Sequence, residues 1–174
     1  FTGGGSEADN LAIKGVAFAH RLRGKHIITT TIEHPAVLAA CRWLQDFGFE
    51  VTYLNVDREG LVDPADLRTA IRPETILVSI MAANNETGAI QPTSELAMVA
   101  HSRGVLFHTD AVQAVGKIPL DVQELGADLL TLSAHKLHGP KGVGALFVRQ
   151  GVTLDPLVHG GKQEHELRAG TENV

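Results

Sequence analysis

The sequence predicts an α/β protein with three layers, α/β/α, built around a mainly parallel sheet that is incomplete at both ends. Three observations carry this. Six apolar runs of strand length recur along the chain, amphipathic or capped stretches of helical length separate them, and glycine, 18 of 174 residues, gathers at the junctions. Strands that alternate with helices are joined by crossovers, which make neighbouring strands parallel and cover both faces of the sheet.

The elements follow in order. After the glycine turn Gly3-Gly4-Gly5-Ser6, a helix is expected over Asn10 to Leu22, where Leu11, Gly15, Phe18 and Leu22 recur at three- and four-residue steps. His26 to Thr31 has strand composition. Pro35 to Phe47 opens with proline at a first-turn position and places Val37, Leu38, Cys41 and Leu44 along one helical face. Glu50 to Val56 is the next strand. Asp63-Pro64, a cap followed by proline, marks another helix start, and Thr75 to Met81 is again a strand. Thr93 to Arg103 forms a helix stopped by Gly104. Val105 to Asp110, Asp128 to Ala134 and Gly144 to Arg149 complete the strands. There is no internal repeat or linker, so residues 1–174 form one domain.

Composition excludes several functions. Fifteen Lys and Arg against 20 Asp and Glu give a net charge of −5 without a basic block, which argues against nucleic acid as a partner. No apolar run approaches the roughly 18 residues that span a bilayer, so no membrane role is expected. Cys41 is the sole cysteine and cannot form an internal disulfide, which fits a reducing compartment; the expected location is the cytoplasm. The opening carries no targeting pattern and no starting Met, and the chain reads as a fragment of a longer protein.

In parallel sheets, ligands gather where loops leave the carboxyl ends of strands. The unusual polar residues fall in such loops. Lys136, just after a strand, would be an amine at the edge of a core, where desolvation favours the neutral form that makes Schiff bases; the alternative is a surface lysine. Asp110 could serve a protonated ring nitrogen, or merely cap a helix over Ala111 to Val115. Gly3 to Ala8 offers backbone amides to an anion and loosely fits a dinucleotide pattern, but a tight turn capped by Ser6 also accounts for it. His34, before Pro35, could stack on a flat ligand, exchange protons or be structural. His135 and His138 lack a second ligand pair, so no metal site is expected. Cys41 reads as inert core packing.

Taken in order, the strings FTGGGSEADNLAIKG, TIEHPAVL, VSIMAANNETGAIQP, FHTDAVQAVGKIPLD, LSAHKLHGPKGVGALFVR and HGGKQEHELRAGTENV closely resemble consecutive blocks of the cysteine desulfurase family. These are class V aminotransferase-like enzymes of fold type I that use pyridoxal 5'-phosphate. The resemblance implies that the chain is the cofactor-binding large domain, without the small C-terminal domain. It implies that Lys136 holds the cofactor, that Asp110 partners the pyridine nitrogen and that Gln113 bonds the ring's phenolic oxygen. Gly5 and Ser6, with Ser133 and His135, would hold the phosphate, Ser6 standing where the family more often has Thr. His34 would stack on the ring and move protons, and Asn85 would lie near the ring oxygen. Thr171 would reach the phosphate of a neighbouring subunit, which implies a homodimer with shared sites.

The implied reaction takes sulfur from L-cysteine, leaving alanine and an enzyme persulfide that serves a sulfur-acceptor or iron–sulfur scaffold protein. The family's loop cysteine and its carboxylate-binding arginine have no counterpart here, and Cys41 matches a helical position instead. Lys162 stands where a third glycine is common. The chain alone is therefore expected to be inactive. Alternatives are a selenocysteine lyase or another class V lyase, a dinucleotide-binding module, and a non-catalytic scaffold.

Overall fold

The computed structural model describes residues 1–171. Its elements run α1 (Gly5–Ala19), β1 (His26–Thr30), α2 (Pro35–Gln45), β2 (Glu50–Leu54), α3 (Pro64–Ala70), β3 (Thr75–Ser79), α4 (Thr93–His101), β4 (Leu106–Asp110), α5 (Val122–Leu125), β5 (Leu129–Ser133) and β6 (Gly144–Val148), with 3₁₀ turns at Ala134–Leu137 and Gln163–Glu166. All six strands lie where the sequence places them, each trimmed by one or two residues.

The sheet order is β2-β1-β3-β4-β5-β6. The first five strands pair in parallel, and β6 pairs antiparallel with β5. The reversal follows from the connection. Residues 134–143 hold one 3₁₀ turn and no crossover helix, so the chain can only double back. Alternate strand residues feed two cores. Ile28, Val78 and Phe107 pack with α3 and α4, through Leu67 and Leu96, on one face. Ile27 and Leu77 pack with α1 and α2, through Ile13, Val16, Val37 and Leu44, on the other. That arrangement is the three-layer fold the sequence predicts.

Three local expectations are corrected. The first helix begins at Gly5 rather than Asn10, because Gly4 occupies the cap position and the glycine turn leads straight into helix. It ends at Ala19; Arg23 and Gly24 both donate to the His20 carbonyl, turning the chain so that Leu22 is 97% exposed instead of facing the core. No helix follows Asp110. Ala114 and Val115 both return to the Ala111 carbonyl in a turn, and the next helix is α5, capped by Asp121 and stopped by Gly126 at φ 70°. Four residues are too few to show periodicity.

Candidate functional site

The order of the strands reverses at β1, whose neighbours β2 and β3 leave in opposite directions across the sheet. Loops diverge at such a point and leave a crevice at the carboxyl ends. A cavity of about 220 Å³ lies there. It is lined by residues that follow β1 (His34), β3 (Met81, Ala83, Asn85), β5 (His135, Lys136) and β4 (Val112, Gln113), by the strand-end residues Asp110 and Ser133, and by Gly5, Ser6 and Asp9 of α1.

The structure therefore brings Gly5, Ser6, His34, Asn85, Asp110, Gln113, Ser133, His135 and Lys136 together. Thr171 is exposed and does not line this cavity. Asp9, Met81, Ala83 and Val112 join the lining without having been singled out in the sequence. One signal pointed to Asp9: it interrupts the buried series Ala8, Leu11, Ala12 and Ile13 with a charge.

Each side chain has a local reason for its place. Gly144 donates to and accepts from Thr2 at 2.8 and 2.9 Å, pressing the glycine turn against β6. A Cβ on Gly144 would lie 2.5 Å from the Gly4 carbonyl carbon, and Gly4 itself has φ 151°, so neither position admits a side chain without displacement. Ser6 is inside the helix, not its cap, and no side chain caps α1. The amide end of this 15-residue helix is left to an outside acceptor. Glu7 instead accepts from the Gly3 amide (3.0 Å) and Arg168 Nε (2.9 Å).

His34 caps α2: its Nδ1 accepts from the Ala36 amide at 3.2 Å, which leaves Nε2 as the protonated nitrogen of the neutral ring. Asp110 is 6% exposed and gives one oxygen to the Val112 amide (2.9 Å), so it shapes its own turn while lining the cavity. Burial raises its pKa, opposed by the Val112 N–H and by His34. Gln113 accepts from Lys117 through Oε1, leaving its amide NH₂ as the free donor. Ser133 Oγ and His135 Nδ1 are 2.8 Å apart. Asn84 accepts from Glu86 and Thr87 amides and donates to the Ile32 carbonyl (3.0 Å), fixing the loop from which Asn85 projects exposed.

Of the two placements open to Lys136, the structure has the surface one. Lys136 is exposed on the 3₁₀ turn at the mouth of the cavity rather than held at a core edge, because β5 ends at Ser133 and the chain turns outward. Cys41 lies where the sequence puts it, fully buried in α2. Burial first, then the charge of Glu33, pushes its thiol up to about 12. Asp9, His34 and Asp110 each place one nitrogen or oxygen atom within 4.8 Å of the others, so two carboxyl groups and an imidazole meet at the cavity. Among the described residues, no helix is long and apolar enough to cross a membrane.

Comparison with known proteins agrees with this geometry. The chain is 62% identical over 174 residues to a cysteine desulfurase IscS of Dictyoglomus turgidum, covering 44% of that protein, and equally to one of Methanosarcina thermophila, covering 43%. It is 57% identical to a mitochondrial cysteine desulfurase of Arthroderma benhamiae, covering 35% of it. The chain thus spans less than half the length of these relatives. Among solved structures, a NifS-like protein superposes with a TM-score of 0.95 at 46% identity, over 99% of this chain and 48% of that one. SspA in complex with cysteine superposes with a TM-score of 0.94 at 47% identity, over 98% and 50%. With residues 1–174 matched end to end by the model for class-V aminotransferases, the chain belongs to the aminotransferase class-V family.

Proposed function

We propose that the chain is the cofactor-binding large domain of a cysteine desulfurase, which uses pyridoxal 5'-phosphate to take sulfur from L-cysteine. The observation that carries this is the convergence of Ser6, His34, Asp110, Gln113, Ser133, His135 and Lys136 on one cavity. Two features fit the cofactor. The uncapped start of α1, beside Ser6, Ser133 and His135, suits a phosphate, and the Asp110 carboxylate, with one oxygen left free by Val112, suits a protonated ring nitrogen. Similarity to relatives named cysteine desulfurases favours this reaction over that of other class V lyases.

When bound, pyridoxal phosphate supplies an electron sink for the carbon next to the substrate amine. The chain's residues do the rest. Lys136 Nζ, on an exposed turn at the cavity mouth, would hold the cofactor, and its amine is the group that would move the α-proton. Asp110, with one oxygen fixed by Val112, keeps the other for the ring nitrogen. Gln113 donates its NH₂, and His34 exchanges a proton at Nε2. Cys41 does not accept sulfur: it is buried and its thiol stays protonated. The persulfide is then carried by a cysteine outside these 174 residues, and passes to a sulfur-acceptor or iron–sulfur scaffold protein. Thr171, exposed and three residues after Arg168 in the chain, would serve a second subunit's site in a homodimer.

The test is borohydride reduction of the full-length protein with pyridoxal phosphate, followed by peptide mass mapping. The pyridoxyl group is expected on Lys136. Labelling confined to Lys141 or Lys162 would overturn the assignment.

A further inference from the structure

Asp9 is a buried carboxylate that the proposed chemistry does not use. It lies one helical turn after Gly5 on α1, is 1% exposed and lines the cavity. Its Oδ1 has no hydrogen-bond partner. The nearest nitrogen of a basic side chain, His108 Nε2, is 3.8 Å away and already engaged with Thr131 Oγ1 at 3.0 Å, while His108 Nδ1 meets Ser79 Oγ at 2.8 Å. Burial holds His108 down at about 3, so it brings no positive charge.

An oxygen of Asp110 lies within 4.8 Å of one from Asp9. Glu33 is a third buried carboxylate, with Oε1 accepting from Thr30 Oγ1 (2.7 Å) and the Met81 amide (3.0 Å) and Oε2 unpartnered. Two buried carboxylates this close disfavour each other's ionisation, so the pair tends to share one proton at neutral pH. Asp110 has the stronger claim to the charge, since it accepts the Val112 N–H and feels His34.

We propose that Asp9 is a positioning residue that carries the proton of the Asp9–Asp110 pair at neutral pH, keeping the negative charge on Asp110. The inference rests on the reading of Asp110 as partner of the ring nitrogen, because that is what gives the location of the charge its use. The groups facing Asp9 are Asp110 and His108 from β4, Glu33 and His34 from the junction of β1 and α2, and, across the cavity, His135 and Lys136 after β5. Burial, then the charges of Asp110 and Glu33, against the Thr131 hydroxyl, push Asp9 up to about 8.

The experiment uses the full-length, cofactor-free protein with its aspartate carboxyls labelled with carbon-13, titrated by NMR from pH 5 to 10. One aspartate resonance is expected to titrate near pH 8. It should vanish in Asp9→Asn, or in Asp9→Ser if the amide variant fails to fold, and move to lower pH in Glu33→Gln. An Asp9 resonance that is already that of an ionised carboxylate at pH 7 would overturn the proposal. A second readout separates the two readings. In the cofactor-bound protein at pH 7, Asp9→Asn, whose amide mimics the neutral carboxyl, should keep the wild-type absorption spectrum, whereas Asp110→Asn should change it. An altered spectrum in folded Asp9→Asn counts against the proposal. An unchanged spectrum in Asp110→Asn would instead remove the ring-nitrogen reading, while the carboxyl titration would still decide where the proton sits.

Discussion

The two ends of the sheet treat buried polar groups differently. At the amino end, His20 Nε2 is the one buried side-chain atom without a partner among the described residues. His26, 1% exposed, meets Thr75 Oγ1 (2.7 Å) and Thr52 Oγ1 (2.8 Å) with its two ring nitrogens. Asp128 accepts from the Phe107 amide and faces His101 Nε2, both at 2.8 Å, with Arg149 Nε at 3.6 Å. At the carboxyl end, Asp9 Oδ1, Glu33 Oε2, Thr29 Oγ1 and Thr109 Oγ1 are buried without partners; among the described residues only His20 adds another. A buried polar atom without a partner costs about 1–3 kcal/mol. The carboxyl end thus leaves four such atoms to the amino end's one, and of the four only Asp9 Oδ1 belongs to a residue that lines the cavity.

The sharpest way to break this contrast is at Lys136. In the full-length protein, Lys136→Ala should lower sulfide release from L-cysteine by at least ~10²–10⁴-fold, the usual scale for a lost general acid or base, while leaving the urea midpoint unmoved. Turnover that survived the substitution would remove the carboxyl end's chemical role.

Asp128→Ala tests the other end. It strands the Phe107 N–H and should cost about 1–3 kcal/mol in urea unfolding, with pyridoxal phosphate affinity unchanged. A loss of affinity instead would mean that the two ends are not separable.

The pH dependence of stability distinguishes the ends by sign. Asp9 and Glu33 are each pushed up to about 8, chiefly by burial. The folded chain therefore retains protons that unfolded carboxyls release near pH 4, so this contribution is full below about pH 4 and declines as pH rises to about 8. His26 acts in the opposite direction. Burial, then Arg72, holds it down at about 4, so stability falls as pH drops from about 6.5, where the unfolded imidazole gains its proton, to about 4. The two effects oppose each other between about pH 4 and 6.5, and only the carboxylates act above it. In urea titrations of the cofactor-free protein, Asp9→Asn should flatten the decline above pH 6.5, and His26→Gln should remove the acid-side loss. Identical pH curves for these two variants would refute the contrast.

The smallest effect is expected at the exposed pair Arg72–Glu50, 2.8 Å apart beside the amino end, where Arg72→Ala should change stability by less than about 1 kcal/mol. A larger loss would show that the amino end depends on its rim as well as on its buried pairs.

Much of this was legible in the sequence, for physical reasons. Runs such as Thr75 to Met81 have a composition that only a buried strand explains, and Pro35, Asp63 and Gly104 are punctuation with one local meaning each. Leu22 misled because spacing alone cannot register a turn fixed by the His20 carbonyl. Lys136 was open to a core edge or to the surface, since the outward turn after Ser133 depends on how β6 doubles back. Asp110 was weighed as either a cap or a ligand group; its two oxygens let it shape a turn and line the cavity at once. Asp9, despite the charge it sets into an apolar helical series, and Glu33 went unnoticed because a carboxylate's burial depends on neighbours from distant elements.

The glycine turn at residues 3–6 is held by Gly144 and, through Glu7, by Arg168, 161 positions further along the chain. Contacts across so long a stretch close late, since the whole intervening loop must lose its freedom first. The sheet and its two cores can consolidate from nearer neighbours in the meantime. Competence to take up an anion should therefore be acquired after the hydrophobic layers have formed, so a newly made chain would pass through a compact but unreceptive stage, and cofactor supplied early in refolding would not accelerate it.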